Sequence, residues 1–204
     1  ECLTRWIGHA TSVTSITRVN LPKRPTSAGN LLTTEIPDHV EILCEMESGP
    51  IAHMRFSEVI GLTSCTAALH LALVALDVGP GDEVIIPETT WASCAGAVIY
   101  TGAEPVFVDI ERATLGMSPD SLADFLEHYA EIRDDGLCWN KQTQRVIRAC
   151  VPMHNFGHPV RINEINELCK RHNIQLVEDA AESLGSFYNG THTGRFGALA
   201  VISF

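Results

Sequence analysis

The sequence carries little positive charge for its length. Its 204 residues include 14 lysines and arginines against 25 aspartates and glutamates, and the formal net charge at pH 7 is -11. A general binder of nucleic acid or of anionic membranes needs clustered lysine and arginine side chains. The composition therefore argues against both classes of partner, although backbone amides at a helix start can still bind a phosphate locally.

Long apolar runs and paired cysteines are also missing. No apolar segment approaches the length of a membrane span, and no charged-then-apolar signal segment opens the chain. The seven cysteines are scattered, odd in number and without a CxxC pair. This usage is typical of reduced thiols rather than of a disulfide frame or a zinc site. We therefore expect a cytoplasmic protein that does not enter a membrane.

Two further motifs are lacking. No GxGxxG follows any predicted strand, which argues against a plain Rossmann dehydrogenase. His154 and His158 stand four residues apart, as two metal ligands on a helix would. Gly157 and Pro159 place them in a loop, however, and no carboxylate completes a site. We predict no metal centre.

Composition and apolar periodicity differ between two regions of the chain. Residues 1–54 mix Thr, Ser, Pro and Gly with little periodicity, and we predict a loop-rich segment to which the sequence assigns no fold. In residues 55–204, short apolar strands alternate with helices. This alternation predicts an α/β fold in which a mostly parallel sheet is covered by helices on both faces.

The predicted helices cover residues 66–78, 92–100, 118–129 and 162–172, and the predicted strands cover 83–87, 105–110, 145–152, 174–178 and 198–204. A turn-prone stretch surrounds residues 134–136. In a parallel sheet, ligands bind at the carboxyl ends of the strands. We therefore look for chemistry in the segments that follow the strands.

Three of these segments suggest a site, and each has a plainer interpretation. Ser64, Cys65 and Thr66 form a polar turn at a helix start, where hydroxyls and free amides suit a phosphate but an ordinary helix cap looks the same. Trp91, just past a strand end, can stack on a flat heteroaromatic ring or pack in the core. Asp179 ends an apolar strand, where it can pair with a pyridinium nitrogen or act as a solvated or capping acid.

Taken in order, these segments resemble a known family. The two stretches that carry the resemblance are TSCTAALHLALVALDVGPGDEVIIPETTWASCAGAVIYTGAEPVFVDI and VEDAAESLGSFYNGTHTGRFGALAVISF. They are similar to the DegT/DnrJ/EryC1/StrS family of sugar aminotransferases, and most to the branch that makes 4-amino-4,6-dideoxy nucleotide sugars for legionaminic acid and related surface glycans. The resemblance covers about residues 59–204.

The resemblance implies a site for pyridoxal 5'-phosphate. Thr66 and the neighbouring amides, with Cys65 where the family usually has glycine, match a phosphate-binding turn. Trp91 matches the aromatic side chain that stacks on the cofactor ring, and Asp179 matches the acid that pairs with the pyridine nitrogen. Glu182 matches the side chain near the cofactor's phenolic oxygen, and Ser203 matches a second phosphate-binding hydroxyl.

The family's Schiff-base lysine falls five residues beyond the position of Ser203 and therefore outside this chain. The only lysines here are Lys23, Lys141 and Lys170. We expect residues 55–204 to be the large domain of a fold-type I aminotransferase, truncated at its C-terminal end. On that expectation, the chain alone does not turn over.

The resemblance also implies the reaction and its partners. The parent enzyme would transfer an amino group from an amino acid such as glutamate to a keto nucleotide-sugar, and it would act as a homodimer. Two alternatives stay open: a sugar dehydratase of the same family, with histidine in place of the lysine, and a non-catalytic sensor that keeps the pocket. The sequence does not name the sugar or the amino donor.

Overall fold

The structure is a computed structural model that describes residues 62–203 in full and, before them, the backbone of five strands between residues 10 and 57. The chain divides into two compact units, residues 1–62 and 63–204. The strands of the first unit are β1 (Ala10–Arg18), β2 (Lys23–Pro25), β3 (Leu31–Thr33), β4 (His39–Met46) and β5 (Ile51–Ser57). They form an antiparallel sheet in the order β1-β4-β5 and a separate β2-β3 pair.

These strands differ from the loop-rich segment that the sequence predicts for residues 1–54. The sequences of β4 and β5 alternate apolar and polar residues, as in Val40-Glu41-Ile42, and this period of two is the local signal of a strand. The surrounding Ser, Thr, Pro and Gly residues obscure that signal. The division between the two compact units also falls later than the predicted boundary after residue 54.

The second unit alternates strands and helices, as predicted. Its helices are α1 (Cys65–Ala75), α2 (Ala92–Tyr100), α3 (Pro119–Tyr129) and α4 (Ile162–Arg171). Its strands are β6 (Asp82–Pro87), β7 (Glu104–Val108), β8 (Ala130–Ile132), β9 (Cys138–Asn140), β10 (Arg145–Cys150), β11 (Gln175–Asp179), β12 (Phe187–Tyr188), β13 (Thr191–His192) and β14 (Leu199–Val201).

The main sheet of this unit has the order β14-β11-β10-β6-β7, and all four neighbouring pairs are parallel. The hairpin β8-β9 joins it through an antiparallel pairing of β9 with the start of β10. The α/β fold with a mostly parallel sheet is thereby confirmed. The hairpin was not predicted, since strands of three residues are too short to show a period.

Helices cover both faces of the sheet. Successive side chains of a buried strand point in opposite directions, so each face carries apolar side chains that a helix layer must cover. On one face, α1 and α2 pack over Val84, Ile86 and Val177. On the other face, α3 and α4 pack over Ile85 and Leu176. No helix of the described residues is long and apolar enough to span a membrane.

Candidate functional site

The carboxyl ends of β6, β10, β11 and β14 lie along one edge of the parallel sheet. The segment after β10 runs beside the end of β11: the amide of His154 donates to the carbonyl oxygen of Asp179 at 3.1 Å, and the amide of Asp179 donates to that of Pro152 at 3.0 Å. In β14, Val201 pairs with Asp179. Most of the predicted site residues belong to the segments that leave this edge.

Asp179 is the last residue of β11, and its side chain is buried, with 3% of the residue exposed. Oδ1 accepts a hydrogen bond from the amide of Ala181 at 3.2 Å. Burial raises the pKa of Asp179 to about 6, and the negative charge of Glu182 adds to this rise. The alternative of a solvated acid is therefore wrong, whereas the bond from Ala181 is the local contact of a capping acid. Asp179 is thus a buried carboxyl group at the carboxyl edge of the parallel sheet.

Trp91 and Glu182 are in direct contact. The indole Nε1 donates to Glu182 Oε1 at 3.3 Å, and the amide of Phe156 donates to the other oxygen, Oε2, at 2.7 Å. Trp91 is 64% exposed, so the alternative of a core tryptophan is also wrong. The Glu182 carboxylate thus binds both the exposed indole ring of Trp91 and the segment that follows β10.

The start of α1 carries Ser64, Cys65 and Thr66. The Ser64 hydroxyl accepts from the amide of Ala67 at 3.2 Å, which is an ordinary N-cap. Cys65 is partly buried, and burial followed by the charge of Asp179 raises the pKa of its thiol to about 12. Cys65 therefore lies within electrostatic reach of Asp179. Thr66 is partly buried in the same helical turn.

Ser203 is partly buried and lies two residues beyond Val201, which is the register partner of Asp179. Helix α1 packs against both β11 and β14. The structure thus brings Trp91 into contact with Glu182, whose charge influences Asp179, and places Cys65 where the charge of Asp179 acts on its thiol. Thr66 and Ser203 are placed at this edge by the helix start and by the strand register.

Glu178 is a buried residue that the sequence interpretation passed over. It is fully buried and accepts four hydrogen bonds, from the amides of Gly194, Phe196 and Gly197 at 2.6 to 2.8 Å and from His154 Nε2 at 3.2 Å. Burial alone would raise the pKa of Glu178, but these four donors outweigh it and the pKa lies below its ordinary value. Its amide donors lie 16 to 19 residues away in the sequence, so no local sequence pattern predicts these hydrogen bonds.

His154 is held between Glu178 and the backbone. The amide of Val160 donates to Nδ1 at 3.2 Å, so Nε2 carries the proton that is donated to Glu178. His154 is fully buried in this arrangement. In residues 62–203, no group of three His, Cys, Asp or Glu side chains has the arrangement of a metal site.

Asn155 is a second residue that the sequence interpretation missed. It is 4% exposed, and its side-chain amide donates to the carbonyl oxygens of Thr89, at 3.4 Å, and of Leu115. It thereby joins the segments that follow β6, β7 and β10. Its place in the segment that follows an apolar strand, five residues beyond the end of β10, was the only sequence signal for this role.

A mostly parallel sheet with helices on both faces defines an α/β domain, and the carboxyl edge of that sheet carries the buried Asp179 and the contact between Trp91 and Glu182. The chain belongs to the DegT/DnrJ/EryC1/StrS aminotransferase family, whose pattern it matches over residues 41–204. The match begins before residue 59, where the predicted resemblance starts, and it includes most of β4 and all of β5.

Individual relatives agree with this family. Over 172 residues the chain is 34% identical to GDP-perosamine synthase of Caulobacter vibrioides, an alignment that covers 84% of the chain and 42% of that relative. An aminotransferase from Psychrobacter cryohalolentis has a TM-score of 0.57 at 33% identity, covering 69% of this chain and 31% of the other. NtdA of Bacillus subtilis, solved with bound cofactor PMP, has a TM-score of 0.51 at 26% identity, covering 65% and 26%. The chain thus spans between about a quarter and two fifths of the length of these proteins.

Proposed function

We propose that residues 55–204 form the cofactor-binding large domain of a pyridoxal-phosphate-dependent enzyme that transfers an amino group from an amino acid to a keto nucleotide-sugar. The observation that carries the proposal is the buried Asp179 carboxyl, whose pKa burial raises to about 6, at the edge where Glu182 binds the exposed ring of Trp91. A buried carboxylate without a full positive partner is complementary to a cationic ring nitrogen. The family and its solved members support this assignment.

The residues present fit the cofactor. Asp179 would hold the proton on the pyridine nitrogen, and Trp91 would stack on the ring. Thr66, the amides around Cys65 and the hydroxyl of Ser203 would bind the phosphate. When bound, pyridoxal phosphate supplies the carrier for the amino group and the electron sink of the reaction.

Glu182 would orient the ring of Trp91 through Nε1, in addition to the contact with the phenolic oxygen that the resemblance implies. Because Glu182 adds negative charge near Asp179, it also works against ionisation of that carboxyl group. A protonated ring nitrogen of the bound cofactor would outweigh the charge of Glu182 and favour the ionised form of Asp179.

We infer a keto nucleotide-sugar as the acceptor because one relative is a GDP-perosamine synthase. Glutamate is the donor to test first. We also infer a homodimer for the full-length gene product. Four exposed apolar side chains on the packed pair α1 and α2 support a subunit contact there: Leu71, Val74, Ile99 and Tyr100. The five cysteines of the described residues are free thiols, which supports a reducing, cytoplasmic compartment.

Amino transfer by the full-length gene product tests the proposal. With pyridoxal phosphate, glutamate and a GDP-linked 4-keto-6-deoxy sugar, Asp179→Asn should lower kcat on the order of a hundredfold, because an amide does not favour the protonated ring. Glu182→Ala should have a smaller effect, and Asp124→Asn, an exposed acid on α3, should have none. Near-wild-type turnover of Asp179→Asn would remove Asp179 from the mechanism.

A further inference from the structure

Phe156 has an unfavourable backbone conformation and an unfavourable environment. Its φ angle is 54°, in the left-handed region that bulky residues avoid, and 62% of the residue is exposed. A residue held in this region costs about 1–3 kcal/mol, and an exposed phenyl ring contributes little burial to offset that cost. The folded chain itself therefore gains nothing from a phenylalanine at this position.

The surroundings keep Phe156 in place at the edge of the site. Its amide donates to Glu182 Oε2 at 2.7 Å, and the same carboxylate accepts from Trp91 Nε1 at 3.3 Å. On its two sides, Asn155 is bound to the carbonyl of Leu115, and the Gly157 carbonyl accepts from the Ser186 hydroxyl at 2.7 Å. Two exposed aromatic residues are thus tied to one carboxylate, with Asp179 close enough to be influenced by its charge.

We propose that Phe156 forms a binding subsite for the uncharged sugar ring of the nucleotide-sugar, with the phenyl ring against its apolar C–H face. This inference rests on the proposed function. Trp91 is assigned to the cofactor, so the second ring is available to a substrate. It is a substrate-contacting residue that none of the family motifs in the sequence indicated.

The charges at this edge decide which part of the substrate binds here. The Glu182 carboxylate binds the Phe156 amide, and Asp179 lies within reach of the charge of Glu182, so negative charge at this edge disfavours the diphosphate next to the phenyl ring. The keto carbon must reach the cofactor beside Asp179, and the sugar ring that bears it is uncharged. The nucleobase lies on the far side of the diphosphate and therefore outside this subsite.

Substitution of Phe156 separates a binding role from a structural one. Phe156→Gly removes the ring and relieves the backbone strain, so the Tm of the full-length gene product should stay equal or rise. The KM for the keto sugar should rise about three- to tenfold, the range expected for a lost aromatic contact. The rate of the half-reaction with glutamate should stay within about twofold of wild type.

Three variants serve as controls. Asparagine also tolerates the left-handed conformation. Phe156→Asn should therefore behave like Phe156→Gly, and this agreement would exclude added flexibility of the loop as the cause of the higher KM. Phe156→Tyr should keep the wild-type KM. Asp77→Gly relieves a matching φ of 58° in the turn before β6, at the opposite edge of the sheet, and should leave the KM unchanged.

Binding to the protein without turnover gives an independent readout. By calorimetry without an amino donor, Phe156→Gly should weaken binding of the GDP-linked 4-keto-6-deoxy sugar about three- to tenfold and leave binding of GDP unchanged. Unchanged affinity for the keto sugar in this variant, with an active wild type, would overturn the subsite alone. Equal loss of GDP affinity, a lower Tm or a shift from dimer to monomer would show that Phe156 has a structural role. Any of these results would also overturn the proposed subsite. A wild type that transfers no amino group and binds neither probe would defeat the proposed function and the subsite together.

Discussion

Glu178 and Asp179 are adjacent carboxyl groups with opposite electrostatic environments. Because their side chains point to opposite faces of β11, Glu178 faces four hydrogen-bond donors, whereas Asp179 lies within electrostatic reach of Cys65 and accepts one backbone hydrogen bond, from Ala181. The pKa of Glu178 is therefore lowered and that of Asp179 is raised to about 6. Glu178 therefore stabilises the fold, and Asp179 is the acid that we propose for the cofactor.

The raised pKa of Asp179 gives a pH-dependent stability. Between about pH 4 and 6 the folded chain binds this proton more tightly than the unfolded chain, so stability falls as pH rises through this window. Asp179→Asn should therefore stabilise the cofactor-free chain by about 2 kcal/mol at pH 8 and by almost nothing at pH 4. Urea unfolding at both pH values checks this. A destabilised variant at pH 8 would contradict the conclusion that burial disfavours the ionised form of Asp179.

Glu178 should show the reverse behaviour. Glu178→Gln removes the charge that accepts three backbone amides and His154, and we expect a loss of about 3 kcal/mol at pH 7. Folding lowers the pKa of Glu178, so its ionised form stabilises the fold above the ordinary pKa of a glutamate. This stabilisation is lost as the pH falls through the pKa of the folded state. Urea unfolding at pH 7 and 3 measures the loss, with the exposed Glu88→Gln as control. An equal loss at both pH values would show that the charge is not responsible.

Elements with local signals were predictable from the sequence. Helix α2 has the predicted bounds, and Ser118 and Pro119 begin α3 at the predicted cap and first turn. The hairpin β8-β9 and the antiparallel strands of the first unit were missed because short strands give weak periodicity. In the site, strand ends indicated Trp91 and Asp179. The network of Glu178 depends on residues far along the chain and could not be predicted.

The hairpin β8-β9 is attached to the sheet by a buried hydrogen bond. Asn140 Nδ2 donates to Glu83 Oε2 at 2.8 Å, and Glu83 is 2% exposed. Asn140→Ala should lower the free energy of unfolding by about 2–4 kcal/mol, because it leaves a buried carboxylate without this donor. Denaturant unfolding measures the change, and Gln142→Ala on the exposed turn should be neutral. A loss below about 0.5 kcal/mol would show that solvent replaces the missing donor.

At the scale of the whole molecule, the family match links the two compact units. It begins at residue 41, within β4 of the first unit, and continues to residue 204. The strands β4 and β5 therefore belong to the shared pattern, although no motif in them indicated the family. The residues proposed for the cofactor site all lie in the second unit, where the parallel sheet brings its strand ends to one edge.

The central claim is that the site around Asp179 binds pyridoxal phosphate, and this chain itself tests it. The direct measurement is a titration with pyridoxal phosphate followed by quenching of tryptophan fluorescence, since Trp91 is exposed at the site. We predict that Asp179→Asn raises the Kd at least about tenfold, because the charge opposite the ring nitrogen is lost, while Asp124→Asn leaves it unchanged. Equal affinity of wild type and Asp179→Asn would contradict the account.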